Sequence, residues 1–192
     1  MAEQAVMRLR ATVGILLACL SSLLGQAPQT EPLKRQWFHH TRCAVMPGYD
    51  YTGLPALGLS VLHASGVRAT RHLGAGLVLG VEHYEPFNGA IGIYPVMAEV
   101  RTWMDASRRV QPFAALDLGY GFPTKAASWG QLFDYKGGIA CRALLGYRIG
   151  KHLSIQGGLS IQRWQRRWAF PGLIALDTIT YKRLVLGFGV QL

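Results

Sequence analysis

At 192 residues the chain has the length of a single domain once an amino-terminal leader is removed. Its net charge is +10, but the Lys and Arg residues are scattered and form no helical basic stripe, which argues against a nucleic-acid-binding protein. The longest apolar run, residues 11–24, falls short of the ~20 residues a membrane-spanning helix needs, and no other run approaches it.

Residues 1–27 read as a cleavable secretory signal peptide. Arg8 and Arg10 supply a basic start, residues 11–24 the apolar stretch, and Gly25-Gln26-Ala27 the small residues before a cut. Leu16-Leu17-Ala18-Cys19 also resembles a lipobox, but the apolar run continues past Cys19, which suits an ordinary leader better. Loss of Arg8, Arg10 and Glu3 leaves 18 cationic and nine acidic residues, a balance of +9. In an exported protein the natural acidic partners of such a chain are lipid phosphates. Cys43 and Cys141 remain in the mature chain; placed on non-neighbouring strands and facing outward, they are expected to stay unpaired.

Residues 28–36 form a polar linker, and residues 37–192 read as one barrel domain. A first strand is expected over residues 37–46, followed by a loop over residues 47–53. From there the chain alternates with a period of two, which sends successive side chains to opposite faces. Residues 57–70 set Leu57, Leu59, Val61 and Val67 against Gly58, Ser60, Gly66 and Arg68. After a tight turn at Arg71-His72, residues 73–84 set Leu73, Leu77, Leu79 and Val81 against Gly74, Gly76, Gly80 and Glu82. Residues 91–103 carry Tyr94, Val96 and Val100 against Met97, Glu99 and Arg101, with Pro95 predicting an irregularity. Residues 110–122 follow a polar turn at 105–109 and oppose Leu116, Leu118 and Phe122 to Gln111, Asp117 and Gly119. A loop is expected over residues 123–135. A hairpin from Ile139 to Trp164 turns at Gly150-Lys151-His152, residues 165–180 are expected to form a loop, and residues 181–192 make the last strand.

This pattern predicts an all-β fold: an eight-stranded antiparallel up-and-down transmembrane β-barrel, closed because an open sheet of this size would leave exposed edges. Alternation alone does not say which face is inside. Three features place the apolar face outside. The polar face is rich in glycine, which suits a narrow lumen better than a solvated surface. The connections at Arg71, Asp105 and Gly150 are shorter than those at Pro47, Glu85, Pro123 and Gln165, as in outer-membrane barrels. Tyr94, Tyr120, Phe122 and Tyr147 sit near strand ends on the apolar face, where interfacial girdles lie.

The run from Gly58 to Tyr84, together with Pro95 to Arg101, Ala115 to Gly121 and Tyr181 to Leu192, resembles the small outer-membrane β-barrel proteins common in Bacteroidota, which have an OmpA/OmpX-like eight-stranded fold. The resemblance spans roughly residues 57–192. It implies residence in the cell outer membrane among outer-membrane lipids, and a last strand read by the outer-membrane assembly machinery. Gly187, Val190 and Leu192 fit that strand pattern, whereas Leu186 stands where a polar residue is usual and the chain ends on Leu rather than an aromatic. Most members have no assigned activity.

The expected function is therefore that of a non-enzymatic integral barrel, structural or surface-interacting, with no cofactor. Its lumen network is expected to comprise Arg68, Glu82, Glu99, Arg101, Asp117, Arg142, Arg148 and Arg183, all on the polar face, and to plug the barrel rather than form an ion path. Arg163, Arg166 and Arg167, interleaved with Trp164 and Trp168, are a candidate lipid-phosphate patch that would hold lipopolysaccharide. One alternative is a lipid A-modifying enzyme using His63 and Ser65, although parity turns the nearest acid, Glu82, into the lumen. Another is a secreted soluble barrel binding an apolar ligand. His39, His40 and Cys43 suggest no metal, because neighbouring strand residues point opposite ways.

Overall fold

Residues 36–49, 53–84, 91–104, 110–124, 133–170 and 173–191 are described by the computed structural model, and they form strands and short turns. The expectations for the leader and for linker residues 28–35 lie outside them, while Gln36, read as the last linker residue, opens the first strand. The strands are β1 (Gln36–Tyr49), β2 (Pro55–Arg68), β3 (Leu73–Tyr84), β4 (Ile91–Trp103), β5 (Val110–Pro123), β6 (Phe133–Lys136), β7 (Gly138–Ile149), β8 (Leu153–Phe170) and β9 (Leu173–Gln191). Each long strand pairs antiparallel with its neighbours, and β9 returns to β1, so β1 to β5 and β7 to β9 close an eight-stranded barrel.

The alternation read from the sequence decides the two faces. On β8, Ser154, Gln156, Ser160 and Gln162 are buried, while Leu153, Ile155, Leu159 and Ile161 are exposed. On β9, Arg183 and Val185 point in, and Leu184, Leu186 and Phe188 point out. Exposed Leu, Ile and Val side chains continue around β2, β3, β5 and β7. A soluble barrel would hide these residues; here they form an apolar outer wall, interrupted on β1 and β2 by His39, Thr41, His63 and Ser65. On β8 the wall runs over residues 153–161. At ~3.3 Å per step and a tilt of ~40° that is a rise of about 20 Å, approaching the ~25 Å apolar band of outer-membrane barrels.

Three departures from the expected strand map have local causes, and the irregularity expected at Pro95 is present. β1 runs on to Tyr49, because Pro47 ends neither of its ladders: it lies opposite Leu57 of β2, and pairing with β9 resumes at Gly48 opposite Arg183. Pro95 leaves a gap in the β3–β4 ladder between the Leu79–Val96 and Glu82–Ile93 pairs, as expected of a residue without an N–H. β6, which begins inside the expected 123–135 loop and ends one residue past it, continues the line of β7 along β8. Ala140 faces Gln162 and Lys136 faces Gln165, so four steps oppose three, which is a β-bulge at Gly137-Gly138.

The largest departure is at residues 165–170 and 173–180, which are strand rather than the expected loop. β8 and β9 stay paired from Leu153–Val190 up to Phe170–Leu173. The length that the sequence assigns to a loop is built into a hairpin whose arm, from Arg163 onward, stands about 20 Å beyond the apolar band. At the opposite end the β2–β3 and β7–β8 turns are tight: Gly150, with φ +66°, takes the left-handed conformation in the latter.

Candidate functional site: a charged lumen and a polar arm

The middle of the lumen is a side-chain relay across four strands. Arg42 on β1 donates from Nη1 to Glu99 Oε2 on β4 at 3.0 Å, and from Nη2 to Asp117 on β5. Arg101 grips the same Glu99 twice, at 2.8 Å from Nε and 3.2 Å from Nη2. It also donates to His40 Nδ1 at 3.0 Å. Since Arg can only donate, Nδ1 must accept, which puts the imidazole proton on Nε2, directed at Ser154 Oγ at 2.9 Å. The carboxylates of Glu99 and Asp117 are 0% exposed and Arg42 is 1% exposed, so these charges are compensated by one another rather than by water.

A second cluster sits toward the loop end. Arg142 pairs with Glu82, which also accepts from Tyr84 OH at 2.7 Å and Ser60 Oγ at 3.3 Å. Above it Tyr84, Trp164 and Tyr181 pack ring to ring, with the Arg183 guanidinium 4.8 Å from the Tyr84 ring and 5.3 Å from the Tyr181 ring. Arg183 Nη1 also donates to Met46 O at 2.9 Å and Ala56 O at 3.2 Å. Toward the turn end Phe38 meets Trp103 edge to face, and Arg68 lies 4.5 Å over Trp103. Arg148 reaches Gln191 at 3.4 Å. Gly66 and Gly76 pair across β2 and β3 under the Phe38 ring, where a Cβ on either would strike the facing backbone.

The eight charged residues assigned to the lumen from the sequence thus point inward, Arg68 and Arg148 only half-buried near the turn end. Arg42 and His40, which join the central cluster, were not on that roll. Their signal was present in the Phe38, His40, Arg42, Ala44, Met46 alternation of β1. It was obscured because the outward set of that strand, His39, Thr41 and Cys43, is polar as well.

The proposed phosphate patch does not form one face. Arg163 and Arg167 point outward, whereas Arg166 is buried and bonds Asp177 Oδ2 at 3.0 Å. Trp164 is 2% exposed, inside the barrel rather than at the interface. The physical reason is the strand: in a loop three neighbouring arginines could gather, but a pleat separates them by parity. Lys182, on β9, is the cation that shares the outward face with Arg163.

On the outer wall of β1 and β2, Ser65 Oγ lies 3.1 Å from His39 Nδ1 and Thr41 Oγ1 2.9 Å from His63 Nδ1, with the two imidazoles stacked at 5.9 Å. Ser65 therefore contacts His39 rather than His63. Glu82 is inside the barrel, 1% exposed. His39 and His40 face opposite ways, the first outward and the second into the lumen. Cys43 and Cys141 lie on β1 and β7, separated by β9 and β8 along the shorter path round the barrel.

No family model matches the sequence, and no curated protein matches it. Solved structures do match the fold. The outer membrane protein OprG from Pseudomonas aeruginosa superposes with a TM-score of 0.53 at 11% identity, covering 81% of this chain and 95% of that one. The outer membrane protein AlkL, solved in DMPC bilayers, gives 0.55 at 14% identity, over 86% and 92%. Neisserial surface protein A gives 0.50 at 15% identity, over 80% and 96%. Closure, strand number and outer wall together define an integral β-barrel of the outer-membrane type.

Proposed function

We propose that the chain is a non-enzymatic barrel of the outer membrane with its lumen plugged by its own side chains, serving a structural or surface-interaction role. The observation that carries this reading is the Arg42–Glu99–Arg101–Asp117 cluster, which spans the lumen from β1 to β4 and β5 with every member at most 3% exposed. Eight strands leave an interior about as wide as the side chains that fill it. The resemblance to small barrels of Bacteroidota belongs to this proposal, as does recognition of β9 by the outer-membrane assembly machinery. So does contact with lipopolysaccharide, for which the outward Arg163 and Lys182 supply cations at the edge of the apolar band and Arg167 one farther up the arm. The test is conductance: barrels reconstituted in planar bilayers should show no stable porin-sized channel, and such a channel would refute the plug.

The alternative of a lipid-modifying hydrolase is supported by the Ser65–His39 contact on the outer wall. It lacks an orienting acid, since among the described residues the outward faces of β1, β2 and β3 carry no carboxylate. Turnover of acyl lipid by the purified barrel, lost in Ser65→Ala, would favour it over the non-enzymatic reading.

A further inference from the structure

The β9–β1 seam is the irregular part of the wall. Pairing runs from His40–Gln191 to Val45–Leu186, skips Met46 and Pro47, resumes at Gly48–Arg183, and stops there while β9 continues upward. Where the strands part, a cleft of about 460 Å³ opens on the outer wall. Its apolar sides are Pro47, Tyr49, Leu159, Ile161 and Leu184, and Lys182 stands on its border. The cleft lies at the top of the apolar band, since Ile161 is the last apolar outward residue of β8 before Arg163. Arg163 faces Thr180 and Ile161 faces Lys182, so the two cations are diagonal neighbours on one outward face, about 7–8 Å apart at their backbones. Both are exposed.

We infer that this seam is a binding site for one phosphate-bearing lipid of the outer leaflet, with an acyl chain in the cleft and the headgroup phosphate on Arg163 and Lys182. A cleft open to the membrane fills with hydrocarbon. A pair of cations at the height where hydrocarbon gives way to headgroups selects which lipid stays, because both donate charge-assisted hydrogen bonds to phosphate oxygens. Arg166, engaged with Asp177 on the inner face, is not part of this site. The inference rests on the outer-membrane placement in the proposed function, with the long-connection end toward the cell exterior as in such barrels, but not on the plug, so conductance and lipid retention fail independently.

The test uses the full barrel in nanodiscs of zwitterionic lipid doped with lipid A or with dephosphorylated lipid A, read by native mass spectrometry. Wild type should retain one lipid A and little of the dephosphorylated form. Arg163→Gln with Lys182→Gln should lower retention roughly tenfold. Leu159→Trp, which fills the cleft from a lipid-facing position, should lower it comparably, while Leu79→Trp on the opposite wall should not. The heat-modified gel shift confirms that each variant is folded. Equal retention of both lipids, or loss in the charge variant but not in Leu159→Trp, overturns the inference. So does loss in Leu159→Trp alone, which would mean an apolar occupant with no phosphate, and so does displacement of the lipid by inorganic phosphate, which would mean a free-phosphate site.

Discussion

Replacing Arg42 by Met tests whether the lumen charges are dry. Met keeps most of the side-chain volume but removes both of Arg42's ion pairs, to Glu99 and to Asp117. The consequences for the two carboxylates differ. Glu99 keeps two bonds from Arg101, whereas Asp117 loses its ion-pair partner in a site where it is 0% exposed. Breaking a buried pair costs about 3–5 kcal/mol when one charge is left bare. With one carboxylate orphaned rather than two, the lower end applies, about 3 kcal/mol. The double variant Arg42→Met with Asp117→Leu removes the orphan and should recover more than half of that loss, a coupling of about 1.5 kcal/mol or more. Urea unfolding of the barrel in lipid vesicles, followed by tryptophan emission and by the gel shift, measures both. A loss below about 1 kcal/mol in the single variant, with no recovery in the double, would mean that water solvates these charges. The plug reasoning would then be wrong.

Three further outcomes follow from the same geometry. Leu186→Arg places a charge on the outer wall of β9 and should cost about 2–4 kcal/mol if it sits near the bilayer midplane, whereas Arg167→Leu on the arm should change stability by under about 0.5 kcal/mol. Vesicle unfolding titrations separate the two, and equal effects would contradict the membrane assignment of the wall. Gly66→Val puts a branched side chain against Gly76 and the Phe38 ring, and should cost at least about 2 kcal/mol or prevent the gel shift altogether. Lipids brominated along their chains should quench Trp37, which is 69% exposed on the outer face at the turn end, but leave Trp103 and Trp164 bright, as single-tryptophan variants would show.

Periodicity carried most of the fold. A strand sends its residues alternately in and out whatever its partners, so Leu184, Leu186 and Phe188 on one face and Arg183 on the other were legible before any pairing was known. Strand number and antiparallel order were legible too, because tight turns such as Gly150-Lys151-His152 leave neighbours no other way to pair. The sense of the barrel followed from where glycine fell: Gly66 and Gly76 on the polar side have no room for a Cβ inside a narrow lumen. Composition misled at residues 165–180, where polar and aromatic residues of the β8–β9 arm read as loop. The arm leaves the apolar band, so its strands lack the apolar–polar contrast by which the others were recognised, and only continuous pairing up to Phe170–Leu173 reveals them. That pairing split Arg166 from Arg163 and Arg167. Tertiary structure alone also decided which charges meet. Parity put Glu99 and Asp117 in the lumen but left Arg42 unassigned, and their contact requires closure of β9 onto β1, which carries β1 round to face the strands bearing the two acids. No spacing within one strand encodes a contact made across the barrel, because it depends on the curvature of all eight strands at once.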